Sequence, residues 1–507
     1  MVQIVPLKFA PDEDTGWSVN AGACKRLNGF APLNRGSFGT VGSGAFIGTT
    51  GSISGNDVLH AQIFRKVSGS TRMLVFRKQN IDEYDSSATR TNQGTGYSAS
   101  TASWTAAAFG DQIIAVNYLD APQSSTGSTF GALAGSPPKA RLVAANELHV
   151  MLADYDDGVT PYADGWFSSA LLNPNSWTAS VPNQCANGRI YSPPGPIRAL
   201  VAWHNKSFLA FKDNSVHLLE YIGGELIYSH RTLSSSIGCH GPHAVTKLGD
   251  TVYFYHNSGF YSFDGSKFSD IGKPLINWFN QYIGYYGYAD AYQMITAFDG
   301  PTKVQAVTDS LQNIVAFCAT AYEGSLMYQW TAAFNTSTGR WATWNNKSGI
   351  AGNGFVYVDA TTADLFAFKG ISAARLAYVN VGSSNSTCQY FGYPAATDAL
   401  VYEGTGPEIV TGMFGNADAL QRLTRLHIRD ASSTGTGVYS ATVIGYAAER
   451  GITSTSSETM VENTKTGTLD VNAAGKYFLL IVRVGGGDTA EISGLGPEFV
   501  KYPTGSR

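Results

Sequence analysis

Cys239, His240 and His243 stand close enough along the chain to share one centre, and Cys and His are the side chains that hold zinc. A C-H-x-x-H triplet matches no standard zinc spacing and would need a fourth donor from elsewhere, so it reads as a turn between strands. Asp154, Asp156 and Asp157 ahead of Gly158 resemble a calcium loop, but Tyr155 is interposed and the glycine comes one place early. They read as a solvated acidic turn. In Gly51-Ser52-Ile53-Ser54-Gly55, isoleucine stands where a nucleophile elbow needs serine. Gly42, Gly44 and Gly48 lack the strand-then-helix setting of a phosphate cradle. Asn335 to Trp341 has the Gly339 and Trp341 of a sialidase-type Asp box but no aspartate, and is one residue short. No carboxylate pair is marked out for glycoside cleavage. What remains is aromatic: Tyr285, Tyr286 and Tyr288, in the run YIGYYGY, offer faces on which sugar rings could stack, although large aromatics usually bury their area. No catalytic, metal-ligating or cofactor-binding residue is named, and the expectation is a protein that is not an enzyme.

Composition narrows the partners. Charged residues make up 14% of the 507, against roughly 25% in ordinary soluble domains. Ser, Thr, Asn and Gly carry the polarity instead, which suits either a secreted β-protein or a surface largely covered by other subunits, since interface centres are poor in Lys and Glu. Net charge is −4 and no block of Lys or Arg occurs. That argues against gripping nucleic acid by its phosphates but not against a surface that DNA slides past. The five cysteines are scattered without a CxxC, so a disulfide framework is not expected and a reducing compartment fits. The opening MVQIVPLKFAPDED lacks the apolar stretch of a secretory signal, and no apolar run approaches a membrane span.

The elements that must position these residues show themselves as an echo. Gly195-Pro196 opens IRALVAWHNKSFLAFKDNSVHLLEY, and Gly241-Pro242 opens HAVTKLGDTVYFYHNSGFYSFDG. Both read strand, polar turn, strand, polar turn, strand. Repetition of short strands at 40–50 residues is the mark of a β-propeller blade. Similar hairpins are expected around 72–84, 109–116, 139–153, 313–330 and 355–368, and one helix over 273–282 at a blade junction. Past residue 404 the spacing of strands changes: 421–429, 441–446 and 477–484 suggest a small sandwich. The expected fold is all-β: an N-terminal arm (1–35), a β-propeller (36–403) of six blades with seven possible, and a C-terminal β-sandwich-like domain (404–507).

Three segments carry a family resemblance. They are the arm IVPLKFAPDEDTGWSVNAGACKRLNGFAPLNRGSFGT, the blade LSSSIGCHGPHAVTKLGDTVYFYHNSGFYSFDG with Ser236, Gly238, Cys239 and Pro242, and the closing run AGKYFLLIVRVGGGDTAEISGLGPEFVKYPTGSR. Together they resemble the tail nozzle and packaged-DNA-stabilisation proteins of short-tailed bacteriophages (podoviruses). The resemblance implies a virion structural protein, assembled in the host cytoplasm as a homohexameric ring. Such a ring lies below the portal and adaptor proteins, meets tail fibres or tailspikes, and conducts double-stranded DNA at ejection without sequence-specific binding. No cofactor and no membrane span are expected. The alternative on the same platform is a receptor- or glycan-binding propeller of the tail.

Overall fold

Six successive stretches of the chain each fold as an antiparallel meander of four strands. The computed structural model describes residues 5–11, 23–43, 48–50, 58–87, 89–98, 104–127, 129–204, 206–279, 304–323, 326–348, 354–360, 364–365, 368, 376–381, 386–393, 407–411, 414–415, 420–430, 439–446, 460–461, 468–485 and 490–501. The chain is nearly all-β among these residues, in many multi-stranded sheets. We number the six meanders as sheets I (58–95), II (105–132), III (139–189), IV (197–234), V (245–270) and VI (304–348).

Sequence sets both the strands and their turns. Second strands are apolar runs buried along their length, as in Val150–Asp156 and Ser207–Lys212, because other sheets cover both faces. Turns are fixed by Asn and Asp side chains that accept backbone N–H groups two and three residues on. Asn146 Oδ1 accepts from Leu148 and His149 at 2.9 and 2.8 Å, and Asp264 Oδ1 from Ser266 and Lys267 at 2.9 Å. The echoing runs are the first three strands of sheets IV and V. Each sheet has a fourth strand, Ile227–Ser234 or Phe268–Asp270.

A seventh sheet is assembled differently. Strands Gly354–Asp359, Leu376–Val381 and Ser386–Gly392 pair in order, and the last is extended by Gly42–Ser43 and Gly48–Thr50 from near the chain start. Sheet VII also pairs in parallel with sheet I, Val358 opposite Ala61 and Asp359 opposite Gln62.

The cores lie between sheets. Phe76 of sheet I packs with Ile113 of II, Ile114 of II with Leu152 of III, and Met151 of III with Phe208 of IV. Phe211, Phe254 and Phe317 bring IV, V and VI into one cluster. Ala316 of VI packs with Tyr378 of VII, and Val379 of VII with Val75 of I. A helical turn, 276–279, follows sheet V, and Leu275, Trp278 and Phe279 are buried there. It falls inside the expected helix, whose residues from 280 onward lie outside the described ones.

C-terminal strands form two sheets that face each other. One contains Gln421–Asp430, Thr468–Gly475 and Glu491–Lys501; the other contains Glu408–Thr411, Tyr439–Tyr446 and Tyr477–Val484. Leu426, Leu469 and Ile492 meet Val443, Leu480 and Val482 between them. A bulge between Leu423 and Arg425 resets the alternation, which is why Leu423 and Leu426, three apart, both point inward. The N-terminal strands belong to these same sheets. Val5–Pro6 and Phe38–Thr40 pair with Glu491–Lys501, while Ala23–Asn28 pairs with Glu408–Thr411 and touches sheet VI at Thr343.

Candidate functional site

Two polar junctions hold the sheets to one another. The first surrounds His60, on the first strand of sheet I. Its Nε2 donates to Gln62 Oε1 at 3.2 Å, and its ring stacks on His243 with centroids 4.4 Å apart and planes 22° apart. His243 Nε2 donates to the Trp104 carbonyl at 3.0 Å, and its own carbonyl accepts from Ala306 N at 2.7 Å. Trp104 Nε1 in turn donates to Arg77 O at 2.9 Å. Sheets I, II, V and VI are thereby tied through one pair of imidazoles. Burial lowers the His60 pKa to about 4 and holds His243 well below the ordinary 6.5, with His60 itself adding to the latter. Both rings are therefore neutral at physiological pH.

Beside this junction, sheet I carries a buried ion network. Asp82 Oδ2 lies 2.8 Å from Arg77 Nε and 3.0 Å from Arg90 Nε, and Arg77 and Asp82 side chains are 2% and 0% exposed. Arg72 grips both Glu83 oxygens at 2.8 and 2.7 Å and reaches Ser125 Oγ of sheet II at 3.0 Å. These carboxylates are engaged by guanidiniums, an arrangement suited to fixing sheets.

The second junction clasps the N-terminal segment. Asn335, fully buried in the turn after the third strand of sheet VI, donates to Pro32 O at 3.2 Å, Gln312 O at 2.7 Å and Asn34 Oδ1 at 3.2 Å. Its Oδ1 accepts from Ser337 and Thr338 N at 3.0 and 2.9 Å. Arg340 donates to Gly36 O, and Ser37 Oγ to Glu491. Phe9 meets Trp278 edge to face, centroids 5.3 Å apart. Sheet VI, the N-terminal segment and the last strand are locked together.

The residues singled out in the sequence fall as follows. Cys239 Sγ contacts Gly241 O at 3.3 Å and burial raises its pKa to about 12, while His243 turns to His60 and the Trp104 carbonyl; the triplet does not converge. Asp154 accepts from Arg141 Nε at 2.8 Å, and burial raises its pKa. Asp156 and Asp157 cap their own turn, accepting from Gly158, Val159 and Thr160 N. Gly42 and Gly48 are strand residues of sheet VII. Tyr285, Tyr286, Tyr288 and the 51–55 segment lie outside the described residues. Among the described residues no group of three or more His, Cys, Asp or Glu side chains is placed to hold a metal ion, and no helix is long and apolar enough to cross a membrane. His60, Arg77 and Asp82 were not candidates, and Asn335 entered only as the first residue of the rejected Asp-box stretch. Their one sequence signal is a polar residue inside or beside an apolar run, as in RMLVFR.

No family model and no curated protein matches the chain. Among solved structures, it is similar to virginiamycin B lyase from Staphylococcus aureus at 8% identity and a TM-score of 0.39, covering 68% of this chain and 98% of that one. A BBS1N structure in complex with ARL6DN matches at 9% identity and a TM-score of 0.32, covering 67% and 93%. An exo-beta-1,3-galactanase from Phanerochaete chrysosporium matches at 10% identity and a TM-score of 0.26, covering 89% and 100%. Scores this low carry no argument.

Proposed function

We propose that the chain is a seven-bladed β-propeller carrying a β-sandwich, and that it is a structural component of a short-tailed phage tail, the tail nozzle. One observation carries the architecture: the inter-sheet cores run from sheet I through sheet VII and back to sheet I. Sheet VII is then the closing blade, its outer strands supplied from residues 42–50, as propellers close by joining early and late segments in one sheet. This favours the larger of the two blade numbers allowed by the sequence.

The tail assignment rests on the three resembling segments. A mechanical role is supported by the clasp, which ties early and late segments into the sandwich and the sandwich to sheet VI. In this reading six copies form a closed ring through head-to-tail contacts below the portal and adaptor. The low, slightly negative charge lets DNA pass without being held. The protein catalyses no reaction. Mass photometry of the purified chain tests the assembly: a hexamer supports the reading, and a monomer at every concentration, with no ring formed on adding adaptor, overturns it.

A second reading, glycan binding, is favoured by one exposed cluster. Arg189 lies over the rings of Tyr162 and Tyr191, 5.4 and 4.8 Å from their centroids, and Tyr191 is 68% exposed. Glycan-array binding lost on Tyr191→Ala would support it.

A further inference from the structure

We propose that His217 and His230, on the two outer strands of sheet IV, form a two-histidine clip for a divalent first-row transition-metal ion. His217 lies opposite Thr232 on the neighbouring strand, and His230 is two residues from Thr232, so all three side chains share one face. His217 Nδ1 stands 3.0 Å from His230 Nε2 and 3.2 Å from Thr232 Oγ1. Two imidazole nitrogens bound at about 2.0–2.1 Å stand about 2.9 Å apart at right angles on an ion and about 3.4 Å apart on a tetrahedral one. The observed spacing falls between these, so the clip closes with a small rotation of one ring.

The setting beyond the two nitrogens is that of a metal ligand. Ser215 Oγ lies 2.8 Å from His217 Nε2 and fixes that ring, with the Nε2 hydrogen donated to serine and the Nδ1 lone pair turned to its partner; this tautomer is assigned from the network. His217 is fully buried, whereas His230 is exposed. In the apo pair one hydrogen bridges Nδ1 and Nε2. Binding moves it to His230 Nδ1, a tautomer change with no net proton release, and both lone pairs then face the ion. Thr232 Oγ1 and water complete the shell. Lys212, whose Nζ donates to Ile190 O and Pro193 O at 2.8 and 2.5 Å, opposes a cation here and limits affinity. A bound ion would staple the outermost strand to its neighbour.

The test is titration of the full, EDTA-stripped chain with Zn2+ by calorimetry and with Cu2+ by EPR. The expected result is one ion per chain, two nitrogens in the copper hyperfine pattern, and at least about a tenfold loss of affinity in His230→Ala. His427→Ala, at a distant histidine, leaves binding unchanged. His230 is exposed, so its variant folds, which circular dichroism checks. Wild-type affinity in His230→Ala, or no ion bound by the wild type, overturns the proposal.

Discussion

His60 and His243 stack 4.4 Å apart at the junction of sheets I, II, V and VI, and both are neutral there. Burial favours the uncharged rings, so the unfolded chain binds more protons than the folded one between the ordinary 6.5 and the His60 value of about 4. Stability attributable to His60 is therefore complete above the unfolded pKa and falls as pH drops through that window. The loss is on the order of 3 kcal/mol, from about 1.4 kcal/mol per pKa unit. Urea denaturation of wild type and His60→Asn across this range checks it. The variant is expected to show a shallower pH slope, and an unchanged slope contradicts the assignment.

Asp82 neutralises a guanidinium that has no access to water. Asp82→Ala removes a fully buried carboxylate from between Arg77 and Arg90 and is expected to cost about 3–5 kcal/mol. Arg425→Ala, in an exposed pair with Asp470, is expected to cost under about 1 kcal/mol. Chemical denaturation of both variants gives the comparison. Equal effects would contradict the burial argument.

The clasp makes a prediction about the N-terminal segment. Asn335→Ala removes an amide whose two N–H groups are shared among Pro32 O, Gln312 O and Asn34 Oδ1, together with two accepted hydrogen bonds. The expected cost is about 2–4 kcal/mol. Limited proteolysis is expected to cut near residues 32–36 in the variant before any other site. Cleavage elsewhere first would remove the clasp from the account.

Gly238 reports on backbone crowding. A Cβ there would lie 2.0 Å from Lys212 O and 2.5 Å from Asp213 O, neither of which can swing away. Gly238→Ala is expected to destabilise by about 1–3 kcal/mol or more. Gly131→Ala meets nothing within 4 Å and serves as the control in thermal melts.

The strands of sheets IV and V were legible because their first three strands are apolar runs separated by Asn, Asp and Gly turns. Their fourth strands were not. Ile227–Ser234 reads IYSHRTLS, with most of its residues exposed or half-buried, since an outermost strand has one neighbour and little core to face. The pairing of Ala23–Asn28 with Glu408–Thr411 is invisible locally, because strands nearly 400 residues apart leave no shared pattern. The sandwich strands showed their alternation, but the bulge after Leu423 disguised one of them. The stacked histidine pair lay hidden for another reason. His60 and His243 look incidental one at a time, and only the return of the chain makes them partners.

A cryo-EM reconstruction of the purified full-length chain tests the central claim most directly. The account predicts rings of six copies about an open channel, each copy showing seven radial sheets with residues 42–50 on the outer edge of the seventh. A single copy with an open arc of sheets, or particles with no rotational symmetry, would contradict it.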